Sequence, residues 1–224
     1  MSFVCEYCKK EFARETSIAV HMCEPKRRRF EQDERGVQLG FRAYIKFYEQ
    51  AQGSAKLKTF DDFADSAYYR AFVKFGRYCV NTRVIAPERY LLWLLKQQKK
   101  IDNWSSDQLY TEYLIEYLRV ENVSDALARA VEFGMDWAEK NSAQPQDCLR
   151  YGSSVAMCYA ITTGRISPWI IYNCESGQQF LASLTSDQIG MIWSYIDSDE
   201  WQKKFNNYPA DQEYARDILN KAGW

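Results

Sequence analysis

The stretch CEYCKKEFARETSIAVHMC, Cys5 to Cys23, decides how the chain begins to fold. Cys5 and Cys8 are separated by two residues, and twelve more lead from Cys8 to His21, with Phe12 and Ile18 between them. Two apolar side chains are too few for so short a segment to fold unaided, so its stability must come from elsewhere. Thiolates and an imidazole can supply it by closing on a metal ion. In a continuous helix His21 and Cys23 would point about 200° apart and could not share a tetrahedral ion. The helix is therefore expected to end near Met22, a stop that Pro25 favours by disfavouring helical geometry at Glu24. The competing reading makes these four residues ordinary core, since a free cysteine behaves as a small hydrophobe. Against it, His21 is the only histidine in the chain, and three of the seven cysteines lie within 18 residues of it.

The spacing of Cys5, Cys8, Phe12, Ile18 and His21 resembles the ββα zinc fingers, over about the first tenth of the chain. That resemblance implies cysteines from a hairpin knuckle, a histidine from the following helix, and structural Zn2+ with no open coordination position. The family's fourth ligand follows the histidine after three to five intervening residues, where this chain has Pro25, Lys26 and Arg27. Cys23 is the substitute close at hand, making the predicted ligand set Cys5, Cys8, His21 and Cys23. The family's base-contacting positions fall on Arg14, Ser17 and Val20, with Thr16 between them, and of these Arg14 has the chemistry to grip guanine. A lone finger spans about three base pairs and needs help. Lys26, Arg27, Arg28 and Arg29 could provide it by following phosphates, or could simply solubilise the next helix. Glu6, Glu11, Glu15 and Glu24 make the finger less basic than a dedicated DNA reader, which keeps a protein-docking role open.

The 224 residues carry a net charge of -1, yet residues 1–29 hold seven Lys/Arg against four Glu, leaving 22 cations against 26 acids beyond them. A nucleic-acid footprint is thus expected in the N-terminal segment. Hydrophobic content of 46%, with 16% aromatics, places the rest of the chain among folded proteins. Seven cysteines without a leader-like N-terminus predict a reduced, intracellular protein of cytoplasm or nucleoid, and no apolar run suits a membrane span.

From Phe30 onward the periodicity is helical. Phe30, Val37, Phe41, Tyr44 and Tyr48 predict one long amphipathic helix ending at Gly53. Thr59 with Asp62 signals a cap ahead of a second region, in which Tyr68, Phe72, Phe75 and Cys79 line one face and Arg70, Lys74 and Arg77 the other. That basic stripe reads as a solvated face or a second nucleic-acid contact. Pro87 opens a helix, Ser105 or Ser106 caps another, and Ser124 caps one reaching roughly Lys140. The run Ile166 to Tyr172 has strand-like composition, while Thr185 or Ser186 and then Pro209 start later helices. The expected fold is mainly α, a small N-terminal ββα finger followed by a multi-helix globular domain. The expected divisions are finger 1–25, basic linker 26–33 and helical domain 34–224.

The sequence holds no phosphate-binding glycine loop, no dinucleotide fingerprint and no second histidine to act as a base. Asp61, Asp62 and Asp65, or Glu112 and Glu116, could in principle hold magnesium for a nuclease, though solvated helix faces explain them as well. Cys79, Cys148, Cys158 and Cys174 lie in apolar surroundings that suit core residues. The preferred reading is a non-enzymatic accessory protein whose finger and linker bind DNA and whose helical body binds a protein partner or self-associates, without a membrane or a small-molecule substrate. The alternative is a finger used only for docking in a larger assembly, since a finger and basic run joined to a helical body resemble small accessory proteins of tailed phages.

Overall fold

Prolines and capping side chains decide where many of the helices start. In the computed structural model, which describes residues 2–53 and 57–224, β1 (Phe3–Val4) pairs antiparallel with β2 (Glu11–Phe12), Phe3 opposite Phe12. Helices α1 (Glu15–Ala19), α2 (Glu24–Phe30) and α3 (Arg35–Gln52) follow. The helix expected to run from Phe30 to Gly53 is therefore two, broken at 31–34; Gly53 does end α3, in the left-handed conformation that glycine tolerates. Thr59 and Asp62 close a capping box on α4 (Phe60–Ala64), and α5 (Tyr69–Asn81) is a separate helix after a turn. Pro87 opens α6 (Pro87–Lys96), and α7 (Asp107–Val120) follows a 3-10 turn at Ile101–Asn103.

Backbone contacts divide the chain into two compact units, Met1–Tyr110 and Thr111–Trp224. In the first, α3 and α5 touch backbone to backbone: a Cβ at Gly76 would lie 2.0 Å from the Gly36 carbonyl oxygen and 2.6 Å from the Gly40 nitrogen. Around that contact Phe41, Tyr44, Phe63, Phe72, Phe75 and Trp104 form a cluster of edge-on, tilted and stacked rings. Trp104 is buried and its indole N–H donates to the Lys99 carbonyl at 2.9 Å.

The second unit contains α8 (Val123–Asn141), a 3-10 turn at Pro145–Asp147, α9 (Cys148–Tyr151), α10 (Ser154–Thr162) and α11 (Pro168–Asn173). It ends with α12 (Glu175–Ser183), α13 (Ser186–Ile196), α14 (Ser198–Asn207) and α15 (Pro209–Lys221). The strand-like run at 166–172 is mostly α11: Ser167 accepts from the Trp169 N–H, Pro168 takes the first turn, and Pro168 to Ile171 are buried. A helix enclosed on every side shows no amphipathic period, and its β-branched composition then imitates a strand. Asn122, not Ser124, caps α8 by accepting from the Ser124 N–H. Among the described residues no helix is long and apolar enough to cross a membrane.

Candidate metal centre

The hairpin turn folds back on itself at the first two cysteines. Cys5 N–H donates to the Lys10 carbonyl at 2.9 Å and Lys9 N–H to the Cys5 carbonyl at 2.8 Å, with Lys9 at a positive φ of 59°. α1 stops at Ala19, and the His21 N–H still reaches the Ile18 carbonyl at 3.1 Å, so the chain leaves the helix before the imidazole. The helix thus ends earlier than the expected Met22. Cys23 is extended, with φ -82° and ψ 163°, and serves as the residue just ahead of α2. The 200° conflict between His21 and Cys23 is resolved because neither lies in α1.

These turns bring the donor atoms of Cys5, Cys8, His21 and Cys23 within 4.8 Å of one another, a set that could bind a metal ion. Cys5 Sγ and Cys23 Sγ are 3.9 Å apart, and Cys8 Sγ and His21 Nε2 are 3.2 Å apart. Cys5 is buried and the other three are half-buried. Phe12 lies against the imidazole with ring centroids 4.7 Å apart. The backbone N–H of Cys8 holds the Cys5 thiol below its ordinary pKa, against the opposing effect of burial. Burial alone pushes Cys79 up to about 12, and burial is the main cause that takes Cys148 to about 12, which suits inert core thiols. Burial also raises Cys158 and Cys174.

The residues predicted to touch nucleic acid part into two groups. Arg14, immediately ahead of α1, and Thr16 and Ser17 on it are exposed, as is Val20 beyond its end. Lys26, Arg27, Arg28 and Arg29 are on a helix, and each already has partners within the protein. Lys26 donates to the His21 carbonyl at 3.2 Å. Arg27 pairs with Glu24 and Glu31. Arg28 pairs with Glu24, donates to the Ala64 carbonyl at 2.7 Å and covers the Tyr69 ring. Arg29 bridges Asp61 at 2.8 Å and Asp65 at 3.0 Å while covering Tyr7 of the finger. Two of the three aspartates considered for magnesium therefore receive Arg29, and the third, Asp62, accepts from the Thr59 N–H at 2.8 Å.

The anchoring role of Arg28 and Arg29 had no local sequence signal, because the partners that give it lie more than 30 positions away, on α4 and at Asp65 just past its end. Compared with known proteins, the chain matches no family model, no curated sequence and no solved structure.

Proposed function

We propose that Cys5, Cys8, His21 and Cys23 hold one structural Zn2+, and that the protein is a non-enzymatic nucleic-acid-binding accessory protein, with DNA the preferred partner. The observation that carries the metal reading is the spacing of the donors. Zinc–sulfur bonds of about 2.3 Å in a tetrahedron set sulfur–sulfur edges of about 3.8 Å, and a zinc–nitrogen bond of about 2.0 Å sets sulfur–nitrogen edges of about 3.5 Å. The separations of 3.9 Å and 3.2 Å are close to both. Three soft thiolates and an imidazole favour zinc over hard cations, and four protein ligands leave no position for a substrate.

The nucleic-acid reading is supported by the exposure of Arg14, Thr16 and Ser17 on the face that the ββα resemblance assigns to base contact. One observation favours the docking reading instead: α1 is a helix of only five residues, and Val4, Val20 and Met22 are exposed beside it, giving the finger apolar surface.

Metal analysis of the purified protein separates the parts of this proposal. One zinc per chain is expected, lost or much weakened in Cys23→Ser; full zinc content in that variant would remove Cys23 from the ligand set. Retardation of a DNA duplex that weakens in Arg14→Ala supports base contact by the finger. Retardation unaffected by that substitution assigns the finger to docking.

A further inference from the structure

The units drawn by the backbone redistribute the charge of the chain. Residues 1–110 hold 20 Lys/Arg against 14 Asp/Glu, whereas residues 111–224 hold 9 against 16. The positive charge is therefore not confined to the finger and the run after it; it belongs to the whole first unit. Much of the excess gathers in one place. A groove of about 660 Å³ between α2 and α5 is lined by Arg27, Arg28, Arg70, Lys74 and Arg77. Two carboxylates, Glu24 and Glu31, line it and Glu34 reaches Arg77 from beside it, so five cations face three acids.

The groove is made by two helical faces meeting. On α5, positions 70, 74 and 77 fall on one side, because three- and four-residue steps return to the same face. At a rise of 1.5 Å per residue the three cations spread over about 10.5 Å along the axis. The opposite face of α5, with Phe72, Phe75 and Cys79, is buried, which fixes the stripe outward. Arg77 is held by Glu34 at 2.5 Å and Glu31 at 3.1 Å, and Arg70 by Glu24 at 3.2 Å. These carboxylates orient the guanidinium groups without matching their number. Lys74 is exposed and has no ion-pair partner among the described residues, and the Arg70 side chain is 77% exposed.

We infer that this α2–α5 groove is a binding site for the phosphate backbone of a nucleic acid, which rests on the nucleic-acid reading proposed above and places its main electrostatic contact outside the finger. Four of the five cations are arginine, whose planar fork matches phosphate oxygens two at a time. A row of cations along a helix follows a chain of regularly spaced charges better than it encloses one small anion. The groove also begins where the finger ends: Glu24, the residue after the candidate ligand Cys23, lines it. A strand lying in the groove would thus run alongside the metal centre. Arg27 contributes through its place on the groove wall, whereas Arg28 and Arg29 remain anchors, on the Ala64 carbonyl and on Asp61 and Asp65.

The test is equilibrium binding of a fluorescein-labelled mixed-sequence DNA duplex to the zinc-loaded chain of 224 residues over a range of salt concentrations. Each phosphate contact contributes about 0.9 to the slope of log affinity against log salt. Arg70→Gln/Lys74→Gln is expected to weaken binding at least ~10-fold at low salt and to lower that slope by about two. Lys96→Gln, exposed on α6, should leave both unchanged. Zinc content and far-UV circular dichroism equal to wild type would establish that the groove variant is folded. Unchanged affinity and slope in a folded Arg70→Gln/Lys74→Gln protein would overturn the groove as the contact. Equal competition by polyglutamate and by unlabelled DNA would also overturn it, assigning the groove to acidic protein segments. Arg14→Ala separates the two readings: an effect of the groove variant without an effect of Arg14→Ala would refute finger contact and leave the groove standing.

Discussion

At the scale of single residues, Glu121 shows how the fold answers an enclosed charge. Its side chain is fully shielded from solvent, with one oxygen 2.7 Å from the Arg129 guanidinium and the other accepting from the Ser167 hydroxyl at 2.9 Å. Burial raises its pKa, and Arg129 and Ser167 counter this only in part. A carboxyl whose pKa is raised by folding binds its proton more tightly in the native state. Its contribution is therefore largest at acid pH and is lost as pH climbs from the ordinary carboxylate range through the raised value. Glu34 runs the other way: Arg77 holds its pKa down, so its contribution is present above the ordinary carboxylate pKa and lost as pH falls through the depressed one. Glu121→Gln cannot ionise, and its stability relative to wild type is expected to rise as pH increases from 4.5 upward. Urea denaturation of both proteins at a series of pH values measures this, and a pH-independent difference would show that burial does not raise the pKa of Glu121.

The same scale shows what could be read in advance. The four candidate ligands were legible because metal donors at short, fixed intervals are rare by chance and His21 has no rival. The partners of Arg28 and Arg29 were not, because an arginine next to three other cations carries no mark of a carbonyl or an acid 32 or 36 positions away. A basic run read from sequence is a set of charges without neighbours. Folding supplied the neighbours and turned part of the run into an anchor.

At the scale of elements, local chemistry placed helix starts well and interruptions poorly. Thr59–Asp62, Pro87, Thr185–Gln188 and Pro209 each satisfy or omit backbone N–H groups at a first turn, a requirement that needs no tertiary context. The break at 31–34 had no such mark, because Glu31 to Glu34 are compatible with a helix and the turn is held by Arg77, from α5, on Glu31 and Glu34. The Gly36, Gly40 and Gly76 contact is the tightest constraint in the first unit. A Cβ at Gly76 meets backbone atoms, which cannot turn aside as a flexible side chain would. Gly76→Ala should therefore destabilise the protein by about 3 kcal/mol despite alanine's better helix propensity. Chemical denaturation with zinc present checks it; a gain in stability would mean that α3 and α5 do not approach so closely.

At the scale of the whole molecule, the proposed zinc and the arginines set how far the effect of the ion should reach. Across residues 3–20, which hold β1, β2 and α1, Cys5 alone is buried, so the zinc proposed above would supply most of the stability of that segment. Beyond Cys23 the support changes in kind: α2 is tied by Arg28 to the Ala64 carbonyl and by Arg29 to Asp61 and Asp65, contacts that do not need the metal. α3 and α5 are secured further still by the ring cluster around Phe72. Removing the ion with a chelator is therefore expected to produce a graded loss rather than general unfolding. Amide hydrogen exchange followed by mass spectrometry should show protection lost across residues 3–20, reduced in α2, and retained in α3 and α5. Protection lost equally through α5 would mean that the first unit depends on the metal for its core. Unchanged protection at residues 3–20 would mean that the hairpin and α1 stand without it, and the four donors would then have to be read as ordinary side chains.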